Sequence, residues 1–155
     1  MTAPVVMENS NNTKEGVQIA MTAPVVMGRS GATAGDNNKK MMFMLPEEYD
    51  TMDKIPKPTN PLVHIEEIPS NSGVVHVYNG RWGEAGNARI AKNLADQLIE
   101  DGVPGMTEEY VMQNWQFWGY NPPFTIPYFR RNEVWVQLKD EQTDYLVKKF
   151  KSEVK

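Results

Sequence analysis

One long stretch of this chain, residues 84–101, spaces its apolar residues with the 3.6-residue period of an α-helix; the segments around it read as short β-type runs punctuated by Pro and Gly. Ala88, Ala91, Ala95 and Leu98 share one face, with Ile90 and Leu94 beside them, while Arg89, Lys92, Asp96 and Glu100 point away. Gly102 and Pro104 mark the stop. A helix set among strands makes the fold class α+β, and 155 residues fit one domain.

The strands are read from composition and turn chemistry. Residues 63–68 and 74–78 form an expected hairpin about the turn Pro-Ser-Asn-Ser-Gly. Residues 110–119 and 132–138 read as two strands around a loop, 120–128, whose Pro122, Pro123 and Pro127 exclude a tight two-residue turn. The last segment, 140–155, carries Leu146, Phe150 and Val154 at i, i+4 and i+8 and reads as a short helix packed as an appendage. Upstream, Pro56, Pro58 and Pro61 make 53–61 an extended connector between two halves. The heptapeptide MTAPVVM occurs at 1–7 and again, identical, at 21–27. It reads as a pair of short strands joined by the polar loop ENSNNTKEG, with Pro4 and Pro24 at an edge or bulge, or as a tandem duplication without functional content. Residues 28–40 read as a loop, and 41–45 as a buried strand stopped by Pro46.

Composition removes several function classes. A net charge of −4 with no basic stripe argues against nucleic acid. The absence of Cys removes thiolate nucleophiles, thiolate metal sites and disulfides. Two histidines, His64 and His76, with no H-x-x-x-H spacing, argue against a metal centre. The longest apolar run, 41–45, is far short of the ~20 residues that span a bilayer. The N-terminal stretch, uncharged up to Glu8, lacks the charged start of a secretory signal. With 40% hydrophobic residues there is material for a core.

Three motifs in order, IAMTAPVVM, MMFMLPEEY and YNPPFTIPYFRRNEVWVQL, resemble the SOUL haem-binding protein family over 1–138. The resemblance implies two βαβ-type halves related by a pseudo-twofold and closed into a distorted antiparallel β-barrel with flanking helices. It also implies haem or a related tetrapyrrole as ligand. The strand pair and helix that precede the first MTAPV motif in the family have no counterpart ahead of Met1, so the first half is expected to be incomplete. With them go one wall of the family's cleft and a histidine that would ligate iron. The expected organisation is therefore a SOUL-like domain over 1–139 and a helical tail over 140–155, with haem held without strong axial protein ligation.

Within that frame the ligand-binding candidates are Tyr120, Phe124, Ile126, Arg130 and Met44. Tyr120, Phe124 and Ile126 stand among prolines whose fixed φ angles make ordering cheap, which suits one wall of an apolar cleft; Phe124 could instead plug the barrel end. The planar fork of Arg130 suits a ligand carboxylate, although some relatives place a Lys in the preceding loop where this chain has Thr125 and Ile126. Met44 belongs to the run Met41, Met42, Phe43, Met44, whose thioethers could line a pocket or pack in the core. Trp118 and Tyr120 share one strand face, Trp115 and Phe117 the other. Arg131 and Glu133 at i, i+2 read as an ion pair rather than a catalytic base, and His64 and His76 as exposed strand residues. The expected function is non-enzymatic tetrapyrrole buffering or carriage in the cytoplasm, a plastid being compatible with some relatives. The alternatives are a binding module for other amphipathic small molecules, since the barrel resembles bacterial effector-binding domains, or a hydrolase-like enzyme with Glu133 as base. Sheet edges left open near Val5, Val25 and Phe43 predict self-association.

Overall fold

The computed structural model describes residues 16–29 and 39–153. Within them lie strands β1 (Val25–Arg29), β2 (Lys39–Phe43), β3 (Ser72–Tyr78), β4 (Trp115–Gly119) and β5 (Asn132–Leu138), with helices α1 (Glu84–Glu100), α2 (Glu108–Asn114) and α3 (Asp140–Glu153). The first heptapeptide copy with Val5, the loop residues 8–15 and Val154 lie outside the described residues.

The strands form one antiparallel sheet in the order β2-β1-β4-β5-β3. Residues opposite each other in an antiparallel pair share a face. Trp115, Phe117, Val134, Val136, Val74 and Tyr78 therefore lie together on one side. All three helices pack there: Ala91, Leu94, Ala95 and Leu98 of α1, Val111 of α2 and Leu146 of α3 join Val134, Val136 and Leu138 in one core. The opposite face carries Met42, Val26, Trp118, Glu133, Trp135, Val75 and Val77.

The α+β class and the helix 84–100 are as the periodicity predicts. Asn87 joins the buried face of α1, and its side-chain oxygen accepts from the Tyr78 hydroxyl. Gly102 takes φ 76° just past the helix end, a left-handed position that favours glycine. The sheet is open rather than a closed barrel: β2 and β3 are its edges and do not pair among the described residues. Five strands fall short of the roughly eight that close a small barrel.

Other expectations are corrected. Residues 63–68 form no strand, so β3 has no hairpin partner there and pairs instead with β5 along its whole length. The run 110–119 divides: 108–114 is helix, because Thr107 caps it by accepting the Tyr110 N–H at 3.1 Å with Glu108 and Glu109 in the first turn. The strand proper starts at Trp115. Gly28 and Arg29 extend β1 and Lys39 and Lys40 begin β2, shortening the predicted 28–40 loop at both ends. The methionine run is no buried strand: as an edge, β2 leaves Met41, Phe43 and Met44 exposed. The C-terminal helix contributes more than an appendage, since Leu146 is in the core and buried Gln142 donates to the Pro104 carbonyl at 2.8 Å.

Candidate functional site

The segment between β4 and β5 is held in shape by its own polar groups. Tyr120 N donates to the Arg131 carbonyl at 3.3 Å and Arg131 N to the Asn121 side-chain oxygen at 2.7 Å, which closes the neck. Inside it, Thr125 N donates to the Pro122 carbonyl and Phe129 N to the Ile126 carbonyl, the latter beginning a 3-10 turn at Pro127–Phe129. Arg130 spans the interior: its Nε donates to the Thr125 carbonyl at 2.8 Å and an Nη to the Pro123 carbonyl. Two of the five N–H groups of its guanidinium thus shape the loop. Gly80 N reaches the Pro127 carbonyl at 2.8 Å, tying the loop to the segment after β3.

With the backbone satisfied inward, the large side chains face water. Phe124 is 80% exposed, and Ile126, Tyr128 and Phe129 are likewise exposed. Tyr128 and Phe129 meet edge to face at 5.3 Å. The plug reading of Phe124 is overturned, because a side chain filling the barrel end would be buried. Met44 lies just beyond β2 at the same end of the sheet: Phe43 opposes Val25, and Val25 opposes Gly119. Two strand spacings, ~10 Å, separate β2 from β4. Its carbonyl accepts from the Thr22 hydroxyl, and its side chain is partly exposed.

Tyr120 belongs to a second group, on the sheet face away from the helices. Its hydroxyl donates to Glu133 Oε2 at 2.9 Å, while Arg131 holds Glu133 Oε1 at 2.6 Å through Nη2 and stacks 5.0 Å from the Tyr120 ring centre. The Glu133 side chain is only 6% exposed, so the pairing compensates a buried charge. Burial, and then the bond to Glu133, push the Tyr120 phenol up; the bond to Glu133 pushes the Arg131 guanidinium up as well. With the carboxylate engaged on both oxygens, the arrangement is the ion pair expected from i, i+2 spacing. Next to it, Trp118 stacks on Trp135 at 5.5 Å and 21°. On the helix side, Phe117 is buried and stacks on Trp82.

The structure thus places Phe124, Ile126 and Arg130 within the loop, Tyr120 at its neck against Glu133 and Arg131, and Met44 two strands away. His64 and His76 are both exposed. Among the described residues no group of three His, Asp or Glu side chains could hold a metal, and no helix is long and apolar enough to cross a membrane. Sequence reasoning missed Tyr128 and Phe129, which the 3-10 turn Pro127–Phe129 leaves exposed. It also missed the Trp118–Trp135 stack, which needs the register of β4 on β5 to be known.

A sequence model described as SOUL heme-binding protein matches residues 7–137. The chain is similar to "Heme-binding protein 1" of Xenopus tropicalis, 31% identical over 119 residues that cover 76% of this chain and 58% of that protein. It is similar to "Heme-binding protein 1" of Bos taurus at 29% identity, covering 82% of this chain and 63% of that protein. The protein of the same name from Mus musculus is 31% identical over 86% of this chain and 67% of its own length. The chain therefore spans about three-fifths to two-thirds of the relatives it matches.

Proposed function

The chain belongs to the SOUL heme-binding protein family, and from that premise we propose that it binds haem or a related tetrapyrrole, as a non-enzymatic buffer or carrier. The observation that carries this reading is the 120–131 loop: exposed large apolar side chains on a backbone already fixed by three prolines and by Arg130. A preordered apolar surface binds a flat ligand with little further loss of conformational freedom.

Phe124 and Ile126 supply apolar contact to the macrocycle, and Met44 a polarisable edge from β2. The Tyr120 ring forms the floor, its hydroxyl being engaged by Glu133. The guanidinium N–H groups of Arg130 not used by the loop meet a propionate. Iron, when bound, is held without strong axial protein ligation. Closure of the sheet into a distorted barrel belongs to the same reading, and so does self-association through the edges β2 and β3 where they stay open. A cytoplasmic site of action completes it.

The test is a titration with hemin followed by its absorption band, in the wild type and in the double variant Phe124→Ala/Ile126→Ala, each also melted. Both side chains are exposed, so the melting temperature stays within a few degrees while hemin affinity falls about tenfold or more. Unchanged affinity in the folded double variant refutes the assignment. Equal binding of unrelated apolar cations favours a general amphipathic-ligand module instead.

A further inference from the structure

The chain carries a net charge of −4, yet residues 68–83 and 110–132 contain no Asp or Glu. Both stretches reach the end of the sheet where Tyr78 and Gly119 flank Asn132. Arg81, Arg130 and Arg131 lie in them. The acids that follow, Glu84 and Glu133, are each held by a cation, Lys39 at 2.6 Å and Arg131 at 2.6 Å. Arg130 spends donors on neutral carbonyls, which leaves its charge uncompensated, and Arg81 is exposed with no ion pair among the described residues. The same end holds large side chains in water. Tyr128 is 72% and Phe129 69% exposed on the turn Pro127–Phe129. The bond from Gly80 N to the Pro127 carbonyl sets Arg81 and Trp82 beside that turn, and Trp82 is half exposed where its ring stacks on Phe117. Exposed apolar side chains gathered in this way mark an interaction surface.

We infer that this end of the molecule docks on the surface of an anionic phospholipid bilayer, with Tyr128, Phe129 and Trp82 seated at headgroup level and Arg81 against lipid phosphates. Tyr and Trp rings, apolar in body and polar at one edge, settle at a membrane–water interface, and neighbouring cations are drawn to an anionic leaflet. Backbone chemistry favours lipid over a protein partner. A loop that enters the acyl boundary finds no hydrogen-bond partner there and must satisfy its own main chain. The N–H groups of Tyr120, Thr125, Phe129, Arg130 and Arg131 all donate within this loop, and Pro122, Pro123 and Pro127 have none to satisfy. The remainder of an acidic chain is repelled by the same surface, which turns the cationic end toward it. The inference does not rest on the tetrapyrrole reading, because Tyr128, Phe129, Trp82 and Arg81 are not the side chains assigned to that ligand.

Co-sedimentation with hemin-free vesicles, of phosphatidylcholine alone or mixed with phosphatidylglycerol, makes the test. The wild type binds the mixed vesicles, binds phosphatidylcholine alone far more weakly, and is released by added salt. Tyr128→Ser/Phe129→Ser lowers the partition coefficient about tenfold or more, and Arg81→Gln lowers it about fivefold. These three side chains are exposed, so both variants melt within a few degrees of the wild type and keep its hemin affinity. Loss of hemin binding with vesicle binding intact strikes the tetrapyrrole reading and leaves this one standing. A wild type that ignores both kinds of vesicle refutes the docking, and so does a folded double variant that binds them as the wild type does. A dimer seen by sedimentation equilibrium, abolished by Tyr128→Ser/Phe129→Ser and without vesicle binding, gives the surface to a second copy of the chain and refutes it as well.

Discussion

Gly73 stands on the edge strand β3 where the sheet leaves no room for a side chain. A Cβ there falls 2.4 and 2.5 Å from Cε2 and Cζ2 of Trp135 and 2.6 Å from the Val136 carbonyl oxygen. The carbonyl cannot retreat, because it belongs to the backbone of β5. The indole lies against β3 on one side and stacks on Trp118 of β4 on the other, so moving it away disturbs that stack. Overpacking of this kind costs ~1–3 kcal/mol, and loss of an aromatic pair adds ~0.5–1.5 kcal/mol. The smaller unfolded-state entropy of alanine returns only ~0.4–1 kcal/mol. Gly73→Ala is therefore expected to destabilise by ~0.5–4 kcal/mol, with the middle of the range near ~2 kcal/mol, which at ~2–4 °C per kcal/mol lowers the melting temperature by about 4–8 °C. A thermal melt followed by circular dichroism reads the stability, and the near-ultraviolet tryptophan signal reads the stack. A variant that melts within ~2 °C of the wild type with an unaltered tryptophan signal refutes the reasoning.

Leu146→Ala opens a cavity where α3 meets the core, and is expected to cost ~2–5 kcal/mol in a denaturant titration; a change under ~1 kcal/mol shows the helix to be dispensable. Thr107→Ala removes the cap of α2 at a cost of ~1 kcal/mol, checked by the same titration, with Thr107→Ser restoring most of it. Burial pushes the Tyr78 phenol up to about 12. The unfolded chain then loses this proton first as pH rises, so the contribution is complete below ~10 and is lost between there and about 12. In an ultraviolet difference titration Tyr78 ionises at about 12, beside Tyr120, which is also raised, and Tyr78→Phe removes the Tyr78 component.

How legible each element is in the sequence depends on which interactions decide it. The α1 helix declares itself because one buried stripe and a Gly-Pro stop suffice to specify it. The α2 helix was hidden because Tyr110, Val111 and Trp115 carry β-type character, while the capping that selects helix rests on Thr107 and on one backbone N–H. The extent of β5 was legible from apolar content, but the partner of β3 was not: β3 pairs with β5 along its whole length, while its other edge stays open among the described residues. The Arg131–Glu133 pair could be read from i, i+2 spacing, and the loop from its prolines. The inward turn of Arg130 could not, because it depends on which backbone carbonyls the loop leaves unpaired.

The order β2-β1-β4-β5-β3 also sets a timetable for a chain made from its N-terminus. The central strand β4 and its neighbour β5 follow the other three strands in the sequence, whereas the edge β2 and its neighbour β1 precede them. Val25 meets Gly119 only after the intervening residues have been added, on the order of 5–20 s at ribosomal rates of ~5–20 residues per second. Until then β1 and β2 have only each other, and an isolated two-stranded ribbon is marginal in water. The sheet therefore assembles only once β4 and β5 have been made, around the β4–β5 pair, and chaperones that shield nascent chains have a long task on the segment that carries Phe43.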